Sequence, residues 1–110
     1  STLFPYTTLF RSPYSDQPRS VADGLLPPAV GHKAFAIFKD VVREAVQVTE
    51  AEIRGAVRWL HQEAGLRVEP SGAVTTAALL AGRVSGHDPV VAIATGGNVD
   101  DEIFEELIRA

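Results

Sequence analysis

The chain has 110 residues, of which 45% are hydrophobic, and a formal net charge of -4. Its length suits one modest domain, and its acidic balance argues against a surface that neutralises nucleic-acid phosphates. The chain contains no cysteine and no apolar run of about 18 residues, which excludes disulfides, thiolate ligands and a membrane-spanning helix. These properties predict a cytoplasmic protein that binds neither nucleic acid nor a membrane.

The N-terminal segment STLFPYTTLFRS, residues 1–12, has no periodicity of polar and apolar residues. Its part Thr2–Ser12 resembles the translation of one reading frame of a widely used short-read sequencing adaptor. We therefore expect residues 1–12 to be an adaptor-derived artefact and exclude them from the fold. Residues 13–19 are turn and coil formers and are predicted to be a loop.

The first predicted helix follows a proline pair. Each proline disfavours helical backbone at the residue that precedes it, so the helix should begin after the pair. Apolar side chains then recur at helical spacing, at Ala34, Ile37, Phe38 and Val41. This pattern predicts an amphipathic helix from about Gly31 or His32 to about Val42. The weak alternation of charged and apolar residues over Glu44–Val48 favours a short strand after it.

A capping box opens the second predicted helix. Thr49 is followed three residues later by Glu52, and these side chains can each accept a hydrogen bond from the other's backbone N–H. The apolar stripe of this helix consists of Ile53, Val57, Leu60 and Ala64. Gly65 stands where a left-handed residue ends a helix, so the helix should span about Glu50 to Ala64. Trp59 lies off the stripe and should pack at an edge.

The next segment combines a short strand with an unusually apolar helix. Residues Leu66–Val68 suffice only for the stub of a strand, which Glu69-Pro70 ends because proline cannot donate to a β-ladder. Ser71 is then predicted to cap a helix over about Gly72 to Ala81. This helix contains no charged residue and should be buried on most sides.

The last third of the chain has a second apolar element. Val90–Ala94 is uninterrupted apolar sequence, as in strands of a parallel sheet that helices cover on both faces. Residues 100–109 are predicted to form a helix with acids in its first turn. A strand that is apolar on both faces and a helix without charge both need other protein segments to cover them. We therefore expect the chain to be part of a larger protein.

Two turns at strand ends form the candidate ligand site, because ligands of open α/β sheets bind outside the carboxyl ends of strands. Thr95 precedes Gly96-Gly97 at the end of the strand Val90–Ala94, and Glu69 follows the strand stub. A carboxylate beside a buried helix is costly unless something pairs with it. Glu69 could equally be a partly exposed turn residue, and Thr95 could serve only to satisfy a backbone group.

The residues suggest neither a metal site nor a catalytic pair. The three histidines are scattered, without the close spacing of a metal site, at His32, His61 and His87. The acids fall mostly on helix faces and in first turns, where they complement the helix dipole. The only lysines, Lys33 and Lys39, lie at solvent-leaning positions of the first predicted helix.

Four motifs together indicate a family. They are SVADGL at Ser20–Leu25, QVTEAEI at Gln47–Ile53, LRVEPSGAV at Leu66–Val74 and ATGGNVD at Ala94–Asp100. In this order and spacing they resemble the C-terminal part of the catalytic domain of serine/threonine dehydratases, also called threonine ammonia-lyases. These enzymes belong to the fold type II (tryptophan synthase beta-like) group that uses pyridoxal phosphate. The resemblance covers roughly residues 20–106.

The resemblance implies an α/β fold in three layers, with a short, mostly parallel sheet covered by helices. It also implies that residues 20–110 are the C-terminal part of a catalytic domain that binds pyridoxal 5'-phosphate. The family usually has serine where this chain has Thr95, and that hydroxyl bonds the pyridine nitrogen. By the same resemblance Gly24 lines the cofactor cavity, Glu69 faces it near the ring, and Gly96 and Gly97 let the main chain pass close by.

The activity implied for the whole enzyme is β-elimination of L-threonine or L-serine to a 2-oxo acid and ammonia, in a homo-oligomer. The family's Schiff-base lysine and its glycine-rich phosphate loop lie upstream of the matching region, and neither motif occurs here. We therefore expect this chain alone to be inactive and to hold no catalytic residue. Serine racemase and the β-replacement synthases share the scaffold and are alternatives. A non-catalytic α/β module that binds a metabolite through the Gly96-Gly97 turn is a third.

Overall fold

The computed structural model describes residues 19–25, 31–84 and 88–109. In these ranges it has four α-helices: α1 (His32–Val41), α2 (Glu50–Ala64), α3 (Val74–Leu80) and α4 (Asp101–Arg109). Two short 3₁₀ turns, at Asp23–Leu25 and Pro70–Ala73, complete the elements. The predictions for residues 1–18, for the proline pair at 27–28 and for His87 lie outside the described residues. Within the described ranges, every helix is too short or too polar to cross a membrane.

Helix α2 has the ends that the sequence predicts. The backbone N–H of Glu52 donates to the Thr49 hydroxyl at 3.1 Å, and the Thr49 N–H donates to the Glu52 carboxylate at 2.8 Å. At the other end Gly65 has φ 66°, the left-handed conformation that glycine adopts without a steric penalty. Both predicted boundaries of this helix are confirmed.

Helix α2 is also the centre of the core, since it packs on α3, α4 and the 3₁₀ turn Pro70–Ala73. Its predicted stripe is confirmed at three positions and extended by Ala56, whereas Ala64 is exposed. The core consists of Ala22, Ile53, Ala56, Val57, Leu60, Val68, Ala73, Ala77, Phe104 and Leu107. Trp59 is 42% exposed at the edge of this core, as its position off the stripe predicts.

Helix α1 forms where expected, but its apolar side is not part of this core. None of its residues is buried, and Ile37 and Val41 remain 61% and 69% exposed. Local spacing of apolar residues is sufficient to predict a helix, but which surface covers the stripe depends on the tertiary structure. The expectation of a helix is therefore confirmed, whereas Ile37 and Val41 on its stripe remain exposed.

The predicted strands are not observed in the described part of the chain. Residues 44–48 contain only an isolated bridge residue, Val46, and neither Leu66–Val68 nor Val90–Ala94 is paired in a ladder. Val91 is 85% exposed, in contrast to the expected burial of its strand on both faces. A strand is defined by hydrogen bonds to a neighbouring strand, and the described residues supply none here. The predicted sheet is thus not confirmed.

The predicted helix over Gly72 to Ala81 is shorter and less buried than expected. The chain first forms the 3₁₀ turn Pro70–Ala73, and only then does α3 begin at Val74. Ser71 is not the cap of this helix, because its hydroxyl accepts a hydrogen bond from the Gly24 N–H instead. The helix buries one side, at Thr76, Ala77 and Ala78, whereas Leu80 is 51% exposed. The lack of charged residues therefore led us to expect more burial of this helix than the structure has.

Helix α4 confirms the last prediction, apart from a start one residue later than expected. Asp101 and Glu102 occupy its first turn, where negative charge is favourable. Its buried side chains, Phe104 and Leu107, pack toward α2. The helix thereby holds the preceding segment, residues 95–100, against the rest of the fold.

Candidate functional site

The segment Arg67–Ala73 is the structural centre of the candidate site, because two other loops contact it. In the first loop, the backbone N–H of Gly24 donates to the Ser71 hydroxyl at 2.9 Å. A side chain at Gly24 would crowd this hydroxyl, with a Cβ 2.9 Å from the Ser71 oxygen. The turn at Asp23–Leu25 therefore lies directly against the 3₁₀ turn Pro70–Ala73.

The second loop, which follows residue 94, passes close to Glu69. The Glu69 N–H donates to the carbonyl of Gly96 at 2.7 Å. Gly96 has φ 80°, and a Cβ at this position would overlap the Glu69 carboxylate. Both the backbone conformation and the available space therefore require glycine at residue 96.

The neighbouring residues of this loop are equally close to the central segment. A Cβ on Gly72 would overlap the carbonyl oxygen of Thr95, and a Cβ on Gly97 would lie 3.4 Å from the carbonyl oxygen of Arg67. Thr95 is exposed, and its hydroxyl has no hydrogen-bond partner among the described residues. Its backbone is fixed while its side chain is available for another group.

All five residues predicted for the site thus gather around one segment. Gly24 contacts it from the turn Asp23–Leu25, and Thr95, Gly96 and Gly97 contact it from the loop that follows residue 94. Glu69 belongs to the segment itself and is partly buried. The proximity is an observation, whereas a cofactor-binding role for each residue stays a prediction.

A cavity of about 360 Å³ lies beside Glu69. It is lined by Ser20, Val21, Asp23, Glu69, Pro70, Asn98, Val99, Asp100 and Ile103. Three of these residues are acidic, and the lining contains no basic side chain. The cavity therefore disfavours anionic groups such as phosphate. Thr95 and the three predicted glycines are not part of its lining.

The loop before Asp23 is tied to α2 by Glu50. Its carboxylate accepts hydrogen bonds from the Ser20 hydroxyl and, at 2.8 Å, from the backbone N–H of Val21. These two bonds, with the nearby Arg54, lower the pKa of Glu50 below its ordinary value. A carboxylate held ionised in this way fixes the start of the SVADGL motif to the helix that forms the core.

Two polar contacts of the site were missed by the sequence analysis. Ser71 is one, because its position before a helix suggested a cap. Arg67 is the other: its guanidinium donates to the Val99 carbonyl and to the Asp101 carboxylate. A signal for Arg67 was present, because in extended backbone it stands two residues before Glu69 and shares its side of the chain.

No group of three potential metal ligands is found among the residues that the structure describes. The polar groups of the candidate site are hydroxyls, carboxylates, backbone amides and the Arg67 guanidinium. These groups can bind an organic ligand through hydrogen bonds and close backbone approach.

Comparison with known proteins identifies the family. A family model described as pyridoxal-phosphate dependent enzyme matches residues 6–96. The catabolic L-threonine dehydratases of Staphylococcus aureus strains USA300 and N315 are each 38% identical over 85 residues, 74% of this chain. The chain spans 25% of the length of these relatives.

A solved structure gives an independent comparison. The crystal structure of the T.th. threonine deaminase matches with a TM-score of 0.69 and 28% identity. The match covers 80% of this chain and 32% of that one. The resemblance seen in the four sequence motifs is therefore confirmed by both sequence and structure, and the chain belongs to the family of pyridoxal-phosphate dependent enzymes.

Proposed function

We propose that this chain contributes part of the cofactor pocket of an ammonia-lyase that dehydrates and deaminates L-threonine or L-serine. The products of that reaction are a 2-oxo acid and ammonia. The similarity to proteins named L-threonine dehydratase and threonine deaminase supports the reaction and the amino-acid substrate. Because the chain matches a quarter of the length of those dehydratases, we assign it a role within the pocket rather than the whole reaction.

The observation that carries this proposal is the meeting of Glu69 and the Thr95-Gly96-Gly97 turn. The Glu69 N–H bonds the Gly96 carbonyl, and glycine alone fits at residue 96. The Thr95 hydroxyl beside this contact is exposed and lacks a partner in the described ranges. A carboxylate, a hydroxyl and closely approaching backbone thus converge here.

This arrangement fits the ring end of pyridoxal phosphate. A threonine hydroxyl can donate to a pyridine nitrogen, and backbone without side chains leaves room for a flat ring. When bound, the cofactor supplies an electron sink for the charge left on the substrate's α-carbon. We assign Thr95 to the ring nitrogen and Glu69 to the neighbourhood of the ring, with Gly24, Gly96 and Gly97 providing backbone contacts.

The phosphate end of the cofactor fits this region poorly. The nearby N-terminus of α4 carries Asp101 and Glu102, and Asp100 precedes them. A helix N-terminus attracts phosphate, but three carboxylates at the same place, against the one Arg67 guanidinium that pairs with Asp101, leave a negative charge that repels it. We therefore place the phosphate away from α4, against another part of the enzyme.

The sheet belongs to the same proposal. We propose that Val90–Ala94 is a strand of the mostly parallel sheet in the complete enzyme and that helices cover it on both faces. Its unbroken apolar sequence and the 85% exposure of Val91 support this, since such a side chain is normally covered. The homo-oligomeric state and the cytoplasmic location remain predictions.

A graft tests the proposed reaction. Residues 19–109 of this chain replace the matching segment of the Staphylococcus aureus catabolic L-threonine dehydratase. We expect the graft to bind pyridoxal phosphate and to release a 2-oxo acid and ammonia from L-threonine or L-serine. Conversion of L-serine to D-serine without oxo acid would favour the racemase alternative. A folded graft that binds the cofactor but produces neither would contradict the proposal.

The Thr95 hydroxyl is tested in the same graft. Thr95→Ala should weaken cofactor binding about threefold to tenfold and slow elimination, because one hydrogen bond to the ring is lost. Thr95→Ser is the matched control and should retain both properties, since it keeps the hydroxyl. Cofactor absorbance and turnover that are the same in the alanine variant as in the parent graft would count against this role.

A further inference from the structure

Arg67 joins the strand stub to the segment that follows the glycine turn. Its Nη2 donates to the Val99 carbonyl at 2.6 Å and to the Asp101 Oδ1 at 2.7 Å. Its Cζ also lies 4.6 Å from the ring centroid of Phe104, which is buried in the core. One guanidinium thus contacts a backbone carbonyl, a carboxylate and an aromatic ring.

The glycine turn has a second attachment on its other side. The Glu69 N–H holds the Gly96 carbonyl at 2.7 Å, and within the turn the Val99 N–H donates to the Gly97 carbonyl at 3.0 Å. Arg67 holds the carbonyl of the same Val99. The turn is therefore fixed at its first glycine by a backbone bond and after its glycine pair by a side chain.

The chemistry of these contacts is specific to arginine. A guanidinium is planar and can stack on a ring while its N–H groups donate in the plane, which an ammonium group cannot reproduce. Val99 lies before α4, and Asp101 is the first residue of that helix. The contacts of Arg67 with these two residues are therefore not needed to form the hydrogen bonds of α4. Two of the contacts act where the loop meets the start of α4, and the third is with Phe104 inside that helix.

We propose that Arg67 is a positioning residue that holds the Gly96-Gly97 turn against Glu69. This inference rests on the proposed function for its effect on the cofactor, but its structural part stands on the described contacts alone. Arg67 acts through the loop and not by touching the ligand. Without it, the turn keeps one attachment, and the Thr95 hydroxyl samples positions that do not match the ring nitrogen.

Amide hydrogen exchange on the full 110-residue chain tests the structural part without any cofactor. Arg67→Ala should speed exchange of the Glu69 amide about fivefold to tenfold, because the acceptor loop loses a charge-assisted bond and a ring contact. The amide of Ile53, which donates to the Thr49 carbonyl in α2, should exchange as in the parent.

Arg54→Ala is the matched control. Arg54 forms an ion pair with Glu106 of the same helix α4, at 3.8 Å, but has no contact with the glycine turn. Its removal should leave the Glu69 amide unchanged. Unchanged exchange of this amide in Arg67→Ala would overturn the positioning role.

Two further variants apply if Arg67→Ala does not fold. Arg67→Lys keeps the positive charge and should protect the Glu69 amide only partly, since one ammonium cannot replace all three contacts. Asp101→Asn keeps a hydrogen-bond acceptor and should change exchange less than Arg67→Lys does. Full protection in Arg67→Lys would show that a positive charge alone holds the turn, which would support the positioning role and refute its specificity for arginine.

The effect of Arg67 on cofactor binding is measured in the graft, by a fluorescence titration with pyridoxal phosphate. Arg67→Ala should weaken binding severalfold, whereas Arg54→Ala should not change it. Equal affinity in the parent graft and Arg67→Ala would overturn the inference. A graft that binds no cofactor, together with faster Glu69 exchange in Arg67→Ala, would contradict the proposed function while supporting the positioning role.

Discussion

Gly72 shows how a single hydrogen atom in place of a side chain permits the site to form. A Cβ at this position would overlap the Thr95 carbonyl oxygen, and the Val68 side chain would be 3.0 Å away. Both neighbours are confined, the first because it is backbone and the second because Val68 is buried. The turn and the loop can therefore approach only if residue 72 is glycine.

We expect Gly72→Ala to lower the free energy of unfolding by about 1–3 kcal/mol through overpacking. Gly55→Ala is the matched control, because Gly55 lies inside α2 and a Cβ there would meet only the end of the Arg58 side chain at 4.0 Å. That control should raise the stability by about 0.5–1 kcal/mol. Urea unfolding measures both, and a Gly72→Ala protein as stable as its parent would contradict the close approach.

At the scale of single residues, the sequence identified some side chains of the candidate site and missed others. Glu69 and Thr95 were found because a carboxylate and a hydroxyl stand out at the ends of predicted apolar strands. Arg67 was missed because its partners, Val99 and Asp101, lie more than thirty residues away along the chain. The local spacing that places Arg67 on the same side of the chain as Glu69 does not reveal which residues its guanidinium contacts.

At the scale of elements, α2 was predicted to the residue because its signals are local. The capping box and the terminal Gly65 each act within a few residues, so neither depends on the rest of the fold. Glu52 has an additional role that the sequence did not reveal. Its carboxylate also pairs with Arg83 at 2.6 Å, which ties the segment after α3 to the start of α2.

The pH dependence of stability follows from this pair. Hydrogen bonds from the Thr49 N–H and the Arg83 guanidinium hold the pKa of Glu52 below its ordinary value of 4.5. Since the pKa is lowered on folding, the stabilisation is complete above pH 4.5 and is lost as the pH falls through the folded pKa. The lowered pKa of Glu50 acts in the same direction.

We therefore expect the Tm of the chain to fall as the pH is lowered from about 5 to about 3. Glu52→Gln should have a lower Tm at neutral pH and a shallower fall, because it has no carboxylate to protonate. Glu105→Gln, at an exposed position of α4, is the control and should follow the parent. Identical pH profiles for Glu52→Gln and the parent would refute this role of the carboxylate.

The strands, in contrast, were not confirmed at the element scale. Val90–Ala94 has strand-like composition, and the Thr75 hydroxyl holds the Ile93 carbonyl at 2.7 Å. A side-chain bond cannot replace a neighbouring strand, whose hydrogen bonds define the ladder. Composition predicts that a segment is suited to a sheet, whereas pairing requires a second segment beside it.

At the scale of the whole molecule, the described surface carries large apolar side chains. Val91, Ile93, Ile37 and Val41 are between 61% and 85% exposed. Exposed apolar groups of this kind mark surfaces that other protein normally covers. We expect the chain on its own to have low stability and to bind hydrophobic dyes.

An anilinonaphthalene dye tests this expectation. Fluorescence should rise when the dye is added to the folded chain, and the double variant Val91→Ser, Ile93→Ser should reduce it. The Tm of this variant should stay close to that of the parent, since these side chains bury little surface. Gln62→Ser, an exposed polar control, should not change the fluorescence. A sharp cooperative melt without dye binding would argue against the prediction.

The sequence by itself determined the helices α2 and α4, the ends of α2 and the family, because each rests on local hydrogen bonding, local periodicity or short motifs. Only the tertiary structure decided which residues meet: Ser71 with Gly24, Arg67 with Asp101, and Gly72 with the Thr95 backbone. It also showed that α1 and Val90–Ala94 leave apolar residues exposed in the described part of the chain. The physical reason is that capping and periodicity act within a single helix, whereas contacts between distant segments depend on how all the elements pack.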